Sequence, residues 1–266
     1  MFPVYVTVGI AAVLVLLTVF AVAPNLGAKK RMEPYLRDYA HRGLHGHGVP
    51  ENSLTAFGRA VDGGFAIELD VQLSRDGQVI VFHDYTTDRM TGFKGKISEL
   101  TYDELQSLRL ADSEEKIPLL SQVLELVDEK VPILIELKGE SSNTALCSAV
   151  CRELEGYKGD FIVESFNPLL IRAFAKLRPD VPRGILSANL TKTKGALGFA
   201  LKHLLLNFLC RVDFVAYDFS DKFPLTARLC VMMGAKKLLW TPRNDEEIAK
   251  SIPRCDGIIF EDNTKS

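Results

Sequence analysis

From residue 39 to the end of the chain, short runs rich in β-branched and aromatic residues alternate with stretches of helical periodicity, a pattern that few folds can satisfy. The strand-like runs cover residues 39–41, 66–73, 78–83, 132–138, 161–164, 183–186, 213–217, 237–240 and 257–260. Helical patterns cover 53–62, 119–129, 143–155, 168–177, 194–209, 225–233 and 245–251. Only Ser74-Arg75-Asp76-Gly77 separates the second strand-like run from the third. So short a link cannot hold the crossover that parallel strands require, so run 78–83 is expected to return beside 66–73 as a hairpin arm. Eight parallel strands remain, which predicts a TIM (β/α)8 barrel rather than a doubly wound sheet. Residues 85–118 then form a small insertion after the second strand, with a short helix at 102–108. No G-x-G-x-x-G or P-loop pattern follows any run, which argues against a dinucleotide or nucleoside triphosphate enzyme.

No charged residue occurs between Val4 and Ala23, and a helix of about 20 residues spans a hydrocarbon core of about 30 Å. Segment 1–31 is therefore expected to be a transmembrane anchor, helical over about 4–23 and followed by a basic flank, with residues 32–266 as one domain. The rival reading is a cleaved signal peptide ending in Ala21-Val22-Ala23, but nothing basic precedes the apolar run and Pro24 would follow the cut at once. Lys29, Lys30 and Arg31 follow the helix, and no Lys or Arg precedes it. The positive-inside rule thus places the domain on the cytoplasmic rather than the extracellular face of the cell membrane, in contact with the lipid bilayer through its N-terminal helix. Five scattered cysteines, an odd number, build no disulfide framework and agree with a reducing compartment. With 32 basic and 34 acidic side chains the formal charge is −2, which gives no bulk attraction to nucleic acid. Nothing in the sequence specifies an oligomeric state.

Side chains two apart in a strand share a face, so Glu68 and Asp70 point together while Ile67, Leu69 and Val71 pack on the other side. Both sit near the C-terminal end of their strand, where TIM-barrel active sites are built. Glu136 and Lys138 repeat this geometry on the next parallel strand. Each pair alone reads as a rim salt bridge, but their meeting at neighbouring strand ends favours a site for a hard divalent cation, which removes the mutual repulsion of the carboxylates. His41 ends the first strand and His83 the hairpin arm, so the two imidazoles flank the carboxylates as a potential base and acid. Arg42 can fork onto a phosphate and Lys138 adds a point charge, so the expected substrate is an anionic small molecule. Asn52 and Ser53 are natural caps of the first helix, whereas Glu51 has no capping role and can reach the site. His45 and His47, in the glycine-rich loop 43–48, read as surface residues.

The run His41-Arg42-Gly43, Pro50-Glu51-Asn52, Glu68-Leu69-Asp70-Val71, Asp76-Gly77, His83-Asp84, Glu136-Leu137-Lys138, Ser165-Phe166, Trp240-Thr241 and Asp256-Gly257-Ile258-Ile259 resembles the glycerophosphodiester phosphodiesterase family, in a membrane-anchored, bacterial-type form. The resemblance extends from about residue 38 to the end and is most specific between 41 and 138. It implies a TIM barrel with an insertion that hydrolyses glycerophosphodiesters to sn-glycerol 3-phosphate and an alcohol, with one divalent cation, Ca2+ or Mg2+. It further implies that Glu68, Asp70 and Glu136 hold the metal, that His41 and His83 are the general acid and base, and that Arg42 and Lys138 contact phosphate. Glu51, Asn52 and Trp240 match positions that line the site. Ser53 and Ser74 stand where the family usually has Thr, and Thr241-Pro242-Arg243-Asn244 is longer than the usual segment after the Trp. The anchor keeps open a second reading, a membrane-associated lysophospholipase D or phospholipase C-like enzyme on lipid phosphodiesters. A catalytically silent barrel and an enolase-type lyase explain fewer of these residues.

Overall fold

The computed structural model describes residues 2–139 and 144–261, the side chains at 2, 3, 192 and 193 aside. The strands are β1 (Tyr39–Ala40), β2 (Ala66–Leu73), β3 (Val79–Val81), β4 (Ile133–Leu137), β5 (Phe161–Ser165), β6 (Arg183–Ser187), β7 (Phe214–Asp218), β8 (Lys236–Trp240) and β9 (Gly257–Phe260). The helices are α1 (Phe2–Val22), α2 (Ala28–Met32), α3 (Leu54–Asp62), α4 (Asp88–Thr91), α5 (Tyr102–Gln106), α6 (Leu120–Val127), α7 (Ala145–Glu153), α8 (Pro168–Leu177), α9 (Thr191–Lys202), α10 (Leu225–Met232) and α11 (Asp245–Ser251). Parallel pairing runs β1-β9-β8-β7-β6-β5-β4-β2 and closes through β1 on β2, where Tyr39 pairs with Ala66 on one side and Ile259 on the other. β3 is antiparallel to β2 and lies outside the closed ring. The chain is a TIM barrel with the expected hairpin arm.

Strand alternation divides the interior into two layers. Tyr39, Ala66, Leu134, Ile162, Leu186, Phe214, Leu238 and Ile259 fill the lower barrel, and Met32 from α2 closes its floor. Gly184 on β6 leaves the space that the facing Phe214 ring occupies, since a Cβ there would lie 2.2 Å from it. Two residues further along β2, β4 and β5, the inward positions carry Glu68, Glu136 and Glu164, and Asp70 follows on β2. The opposite faces, such as Ile67, Leu69, Val71, Ile133 and Ile135, pack against Phe57, Leu120, Val123 and Val127 of the helical shell. The insertion builds a small core of its own, in which Met90, Ile97, Leu105, Leu110 and Ile117 pack on Ile80 and Phe82 of the hairpin arm.

Expected bounds shift by one or two residues at several elements: the hairpin arm shortens to β3, and the helices expected over 102–108 and 119–129 become α5 and α6. The single helix expected over 194–209 is divided: α9 bends at Gly195, Leu204 takes a positive φ of 54°, and a separate turn forms over Asn207–Leu209. Gly198 allows the close approach, because a Cβ there would meet the Leu190 carbonyl at 2.2 Å. The helix expected from 143 starts at Ala145, and residue 143 lies outside the described residues.

α1 carries no charged residue, and the window Val4–Val22 is long and apolar enough to cross a membrane, as a signal sequence near an N-terminus also would be. Its end is tied to the barrel floor. Asn207 Nδ2 donates to the carbonyls of Val22 and Ala23, each at 3.0 Å, and the Arg211 guanidinium stacks over Phe20. Arg31, grouped by sequence with Lys29 and Lys30 as a topology signal, turns inward: its Nε donates to the fully buried Asp213 at 2.8 Å. Lys29 and Lys30 remain exposed.

Candidate active site

The acidic residues converge because β2 and β4 pair in register. Asp70 stands opposite Glu136, and Glu136 in turn opposite Glu164 on β5. Oxygens of Glu68, Asp70 and Glu136 all lie within 4.8 Å of one another, and all three residues are buried. Lys138 joins them, donating to Glu136 Oε1 at 2.9 Å and lying 3.0 Å from Asp70 Oδ1 outside hydrogen-bond alignment. The expected Glu136–Lys138 rim pair is therefore present, but it is built into the cluster rather than set apart from it.

The His41-Arg42-Gly43 turn folds over this cluster. Arg42 has a φ of 55°, which aims its backbone N–H at Glu68 Oε2, 2.9 Å away. Gly43 must be glycine: its φ is +80°, and a Cβ would come within 2.8 Å of the Ala56 backbone. The Arg42 side chain donates to Glu51 Oε1 at 2.8 Å and passes 3.5 Å from Asp70 Oδ2. Asn52, also at positive φ, donates its amide to Asp70 Oδ2 at 2.8 Å, while Ser53 caps α3 by accepting from the Ala56 N–H.

His41 and His83 are each held by a carboxylate. His41 Nδ1 is 2.7 Å from Glu261 Oε1, and His83 Nδ1 is 2.7 Å from Asp84 Oδ1. Burial pulls both imidazoles below their ordinary range, with Glu261 opposing at His41 and Asp70 opposing at His83. Burial pushes the Glu261 carboxyl up, but the bond to His41 and the charge of Arg243 outweigh it and bring it down to about 2. A neutral ring donating from Nδ1 leaves Nε2 as an acceptor, so the carboxylates select the tautomer that suits proton transfer. Asp84 also accepts from Arg89 Nε at 2.5 Å, and Arg89 reaches Glu51 at 2.6 Å. One network thus runs from His83 through Asp84, Arg89 and Glu51 to Arg42.

The carboxylates are unequal. Burial, reinforced by Asp70 and Glu136, raises Glu68 well above the usual range. Burial also lifts Glu136, against Lys138, to about 7. Asp70 is driven down despite burial by Lys138, His83 and Arg42. Glu164 is raised by burial and by Glu68 and Glu136. Four buried carboxyl groups face two partly buried cations; Asn52 Oδ1 and Glu164 Oε2 are buried without a hydrogen-bond donor, and Asp70 Oδ1 has only the misaligned Lys138 ammonium beside it. An all-oxygen, anion-rich set with orphaned acceptors fits a hard divalent cation.

Trp240, on β8 across the barrel, packs edge-on against Phe166 with ring centroids 5.7 Å apart, and its indole N–H is buried without a partner. His45 departs from expectation: it is half-buried, with His41 and Glu261 in one group, whereas His47 is exposed. Glu164, Asp84, Arg89 and Glu261 are the members that sequence reasoning missed. Glu164 shares the parity of Ile162 on its strand, and Glu261 directly follows β9, so both carried a readable signal. Arg89 carried none, because only the fold of the insertion brings it back to Glu51.

The sequence profile of the Glycerophosphoryl diester phosphodiesterase family matches residues 41–264. The chain belongs to this family. Within it, Bacillus subtilis YhdW is 31% identical to this chain, over 83% of it and 92% of the relative. The glycerophosphodiester phosphodiesterase of Caldanaerobacter subterraneus is 29% identical over 84% and 93%. Among solved structures, an Oleispira antarctica phosphodiesterase in complex with the product sn-glycerol-3-phosphate superposes with a TM-score of 0.72 at 24% identity, covering 84% of this chain and 92% of that one. The family assignment agrees with the barrel and makes the chain a phosphoric diester hydrolase.

Proposed function

We propose that the chain cleaves glycerophosphodiesters to sn-glycerol 3-phosphate and an alcohol, with Ca2+ or Mg2+ held by Glu68, Asp70 and Glu136 and with His41 and His83 moving the protons. The observation that carries this reading is the pair of carboxylate-oriented imidazoles set around three buried carboxylates. The product named with the Oleispira structure supports the substrate class. When bound, the cation supplies Lewis-acid polarisation of a phosphate oxygen and neutralises charge as it develops there.

The chain's own residues do the remaining work. Arg42 and Lys138, held charged in spite of burial by Asp70 with Glu51 and by Asp70 with Glu136 respectively, draw the phosphate into the mouth. One histidine, neutral, accepts a proton at Nε2 from the attacking hydroxyl, and the other, entering as the imidazolium that its carboxylate partner stabilises, delivers its Nε2 proton to the departing alcohol oxygen. Glu51 and Asn52 hold the Arg42 turn in place, Glu51 by accepting from the guanidinium and Asn52 by donating its backbone N–H to the Arg42 carbonyl. Trp240, packed edge-on against Phe166, offers a partly exposed ring to the substrate.

We read α1 as a bilayer span with the barrel on the cytoplasmic side, on the strength of its length and of Lys29 and Lys30 at its root. Reagent labelling of a cysteine introduced on the barrel surface, in intact and in opened cells, tests the side; labelling by an impermeant reagent in intact cells refutes it.

The activity test uses the full chain in lipid nanodiscs with glycerophosphocholine. Release of sn-glycerol 3-phosphate that stops with EDTA and returns with Ca2+ or Mg2+ is expected, and turnover indifferent to chelation overturns the metal. His41→Ala and His83→Ala should each lower kcat about 100-fold or more with the fold intact, and ordinary turnover in either removes that residue from proton transfer.

A further inference from the structure

A cavity of about 880 Å³ opens beside Glu136 and Lys138 and continues down the flank of the barrel between α8 and α9. Its polar wall is confined largely to the catalytic end. Apart from Lys194, the lining residues from 190 to 209 are leucines, Leu190, Leu197, Leu201, Leu206 and Leu209, and α8 adds Leu169. The volume lies at the upper end of ordinary ligand pockets, about 300–1,000 Å³, and glycerol phosphate with a small polar alcohol has no apolar group to place against these leucines.

The far end of the cavity adjoins the root of α1. Leu209 closes the turn Asn207–Leu209, and within that turn Asn207 holds the Val22 carbonyl while Phe208 packs on Phe20 with ring centroids 6.1 Å apart. An apolar path therefore leads from the base of the membrane-length helix to the candidate catalytic carboxylates.

We propose that this channel binds the hydrocarbon chain of a lipid phosphodiester, so that the preferred substrate is a single-chain amphiphile whose phosphate reaches Glu136 and Lys138 while its chain lies along Leu190, Leu197, Leu201 and Leu206. The proposal rests on the phosphodiesterase reading above. It adds an alkyl-chain subsite, continuous with the catalytic mouth and closed below by the turn that anchors α1. Burial of a methylene gains about fourfold in binding, and a channel open on one side keeps about twofold of that per carbon.

The test measures kcat/KM of the full chain in nanodiscs for glycerophospho-n-alkyl esters from ethyl to octyl, all held below their aggregation concentration. A second arm carries the chain on the glycerol, comparing glycerophosphocholine with 1-octanoyl-lysophosphatidylcholine. A gain above tenfold from short to long chain in either arm is expected, and the responding arm tells which side of the phosphate carries the chain. Gains below tenfold in both arms, with the short esters turned over, overturn the channel and leave the phosphodiesterase intact; no turnover of any ester refutes both. Leu197→Gln with Leu206→Gln should bring the gain below tenfold, and a gain that survives them overturns the assignment to this cavity. Leu197 is 54% exposed, so Leu197→Gln alone, read as a reduced long-to-short ratio, serves where the double variant does not fold.

Discussion

His41 and Glu261 stand at opposite ends of the domain sequence, yet their side chains meet at 2.7 Å across the β1–β9 closure. The contact exists because β9 pairs with β1, which puts the residue after β9 beside the residue after β1. It fixes both the tautomer of the imidazole and the position of its ring.

Glu261→Gln should therefore lower kcat by about tenfold or more, with KM little changed, because the amide carries no charge to stabilise a protonated ring and can turn its NH2 toward Nδ1, which selects the wrong tautomer. The same variant has a pH signature. The folded carboxyl sits at about 2 against an ordinary 4.5, so its ionised form stabilises the fold above pH 4.5 and that stabilisation is lost as pH falls toward 2. Allowing for solvent screening, about 1–2 kcal/mol should separate the two proteins in urea unfolding at pH 6 and vanish near pH 2. Equal stabilities at pH 6 would show that the carboxylate does no such work.

Metal affinity should rise with pH through neutrality. A cation needs ionised ligands, Glu136 releases its proton only at about 7, and Glu68 is raised as well. Calorimetric titration with Ca2+ or Mg2+ should be weaker at pH 6 than at pH 8, with proton uptake by the buffer. Glu68→Gln and Asp70→Asn should each weaken binding by about tenfold or more, and unchanged titrations would exclude these carboxylates as ligands.

Gly43→Ala should destabilise the chain by about 1–3 kcal/mol, since the added methyl meets the Ala56 backbone at a positive φ. Because the displaced turn carries Arg42, activity should fall further than stability at a temperature where the variant remains folded. A variant with full activity would show that the turn tolerates another path.

Arg31→Ala should cost about 2 kcal/mol by leaving Asp213 buried with only Asn25 and the Arg183 backbone as close donors. Membrane orientation should not change, because Lys29 and Lys30 still flank the helix. Thermal unfolding followed through Trp240, the single tryptophan, separates this structural role from a topological one; unaltered stability would return Arg31 to the basic flank.

The β/α alternation, the four-residue link before run 78–83, and the paired parity of Glu68 with Asp70 and Glu136 with Lys138 are local properties. Period and spacing sufficed to determine the barrel, its hairpin arm and most of the acidic rim from sequence. The uncharged run to Ala23 likewise set out a membrane-length helix by composition alone. What pairs with what was decided by tertiary structure, because it depends on distances that sequence separation does not encode. Closure of the barrel delivered Glu261 to His41, the fold of the insertion returned Arg89 to Asp84 and Glu51, and the register of β4 with β5 added Glu164 beside Glu136. Arg31 shows the same division: its charge was legible, but its buried partner Asp213 lies 182 residues away, and only packing of the barrel floor joined them.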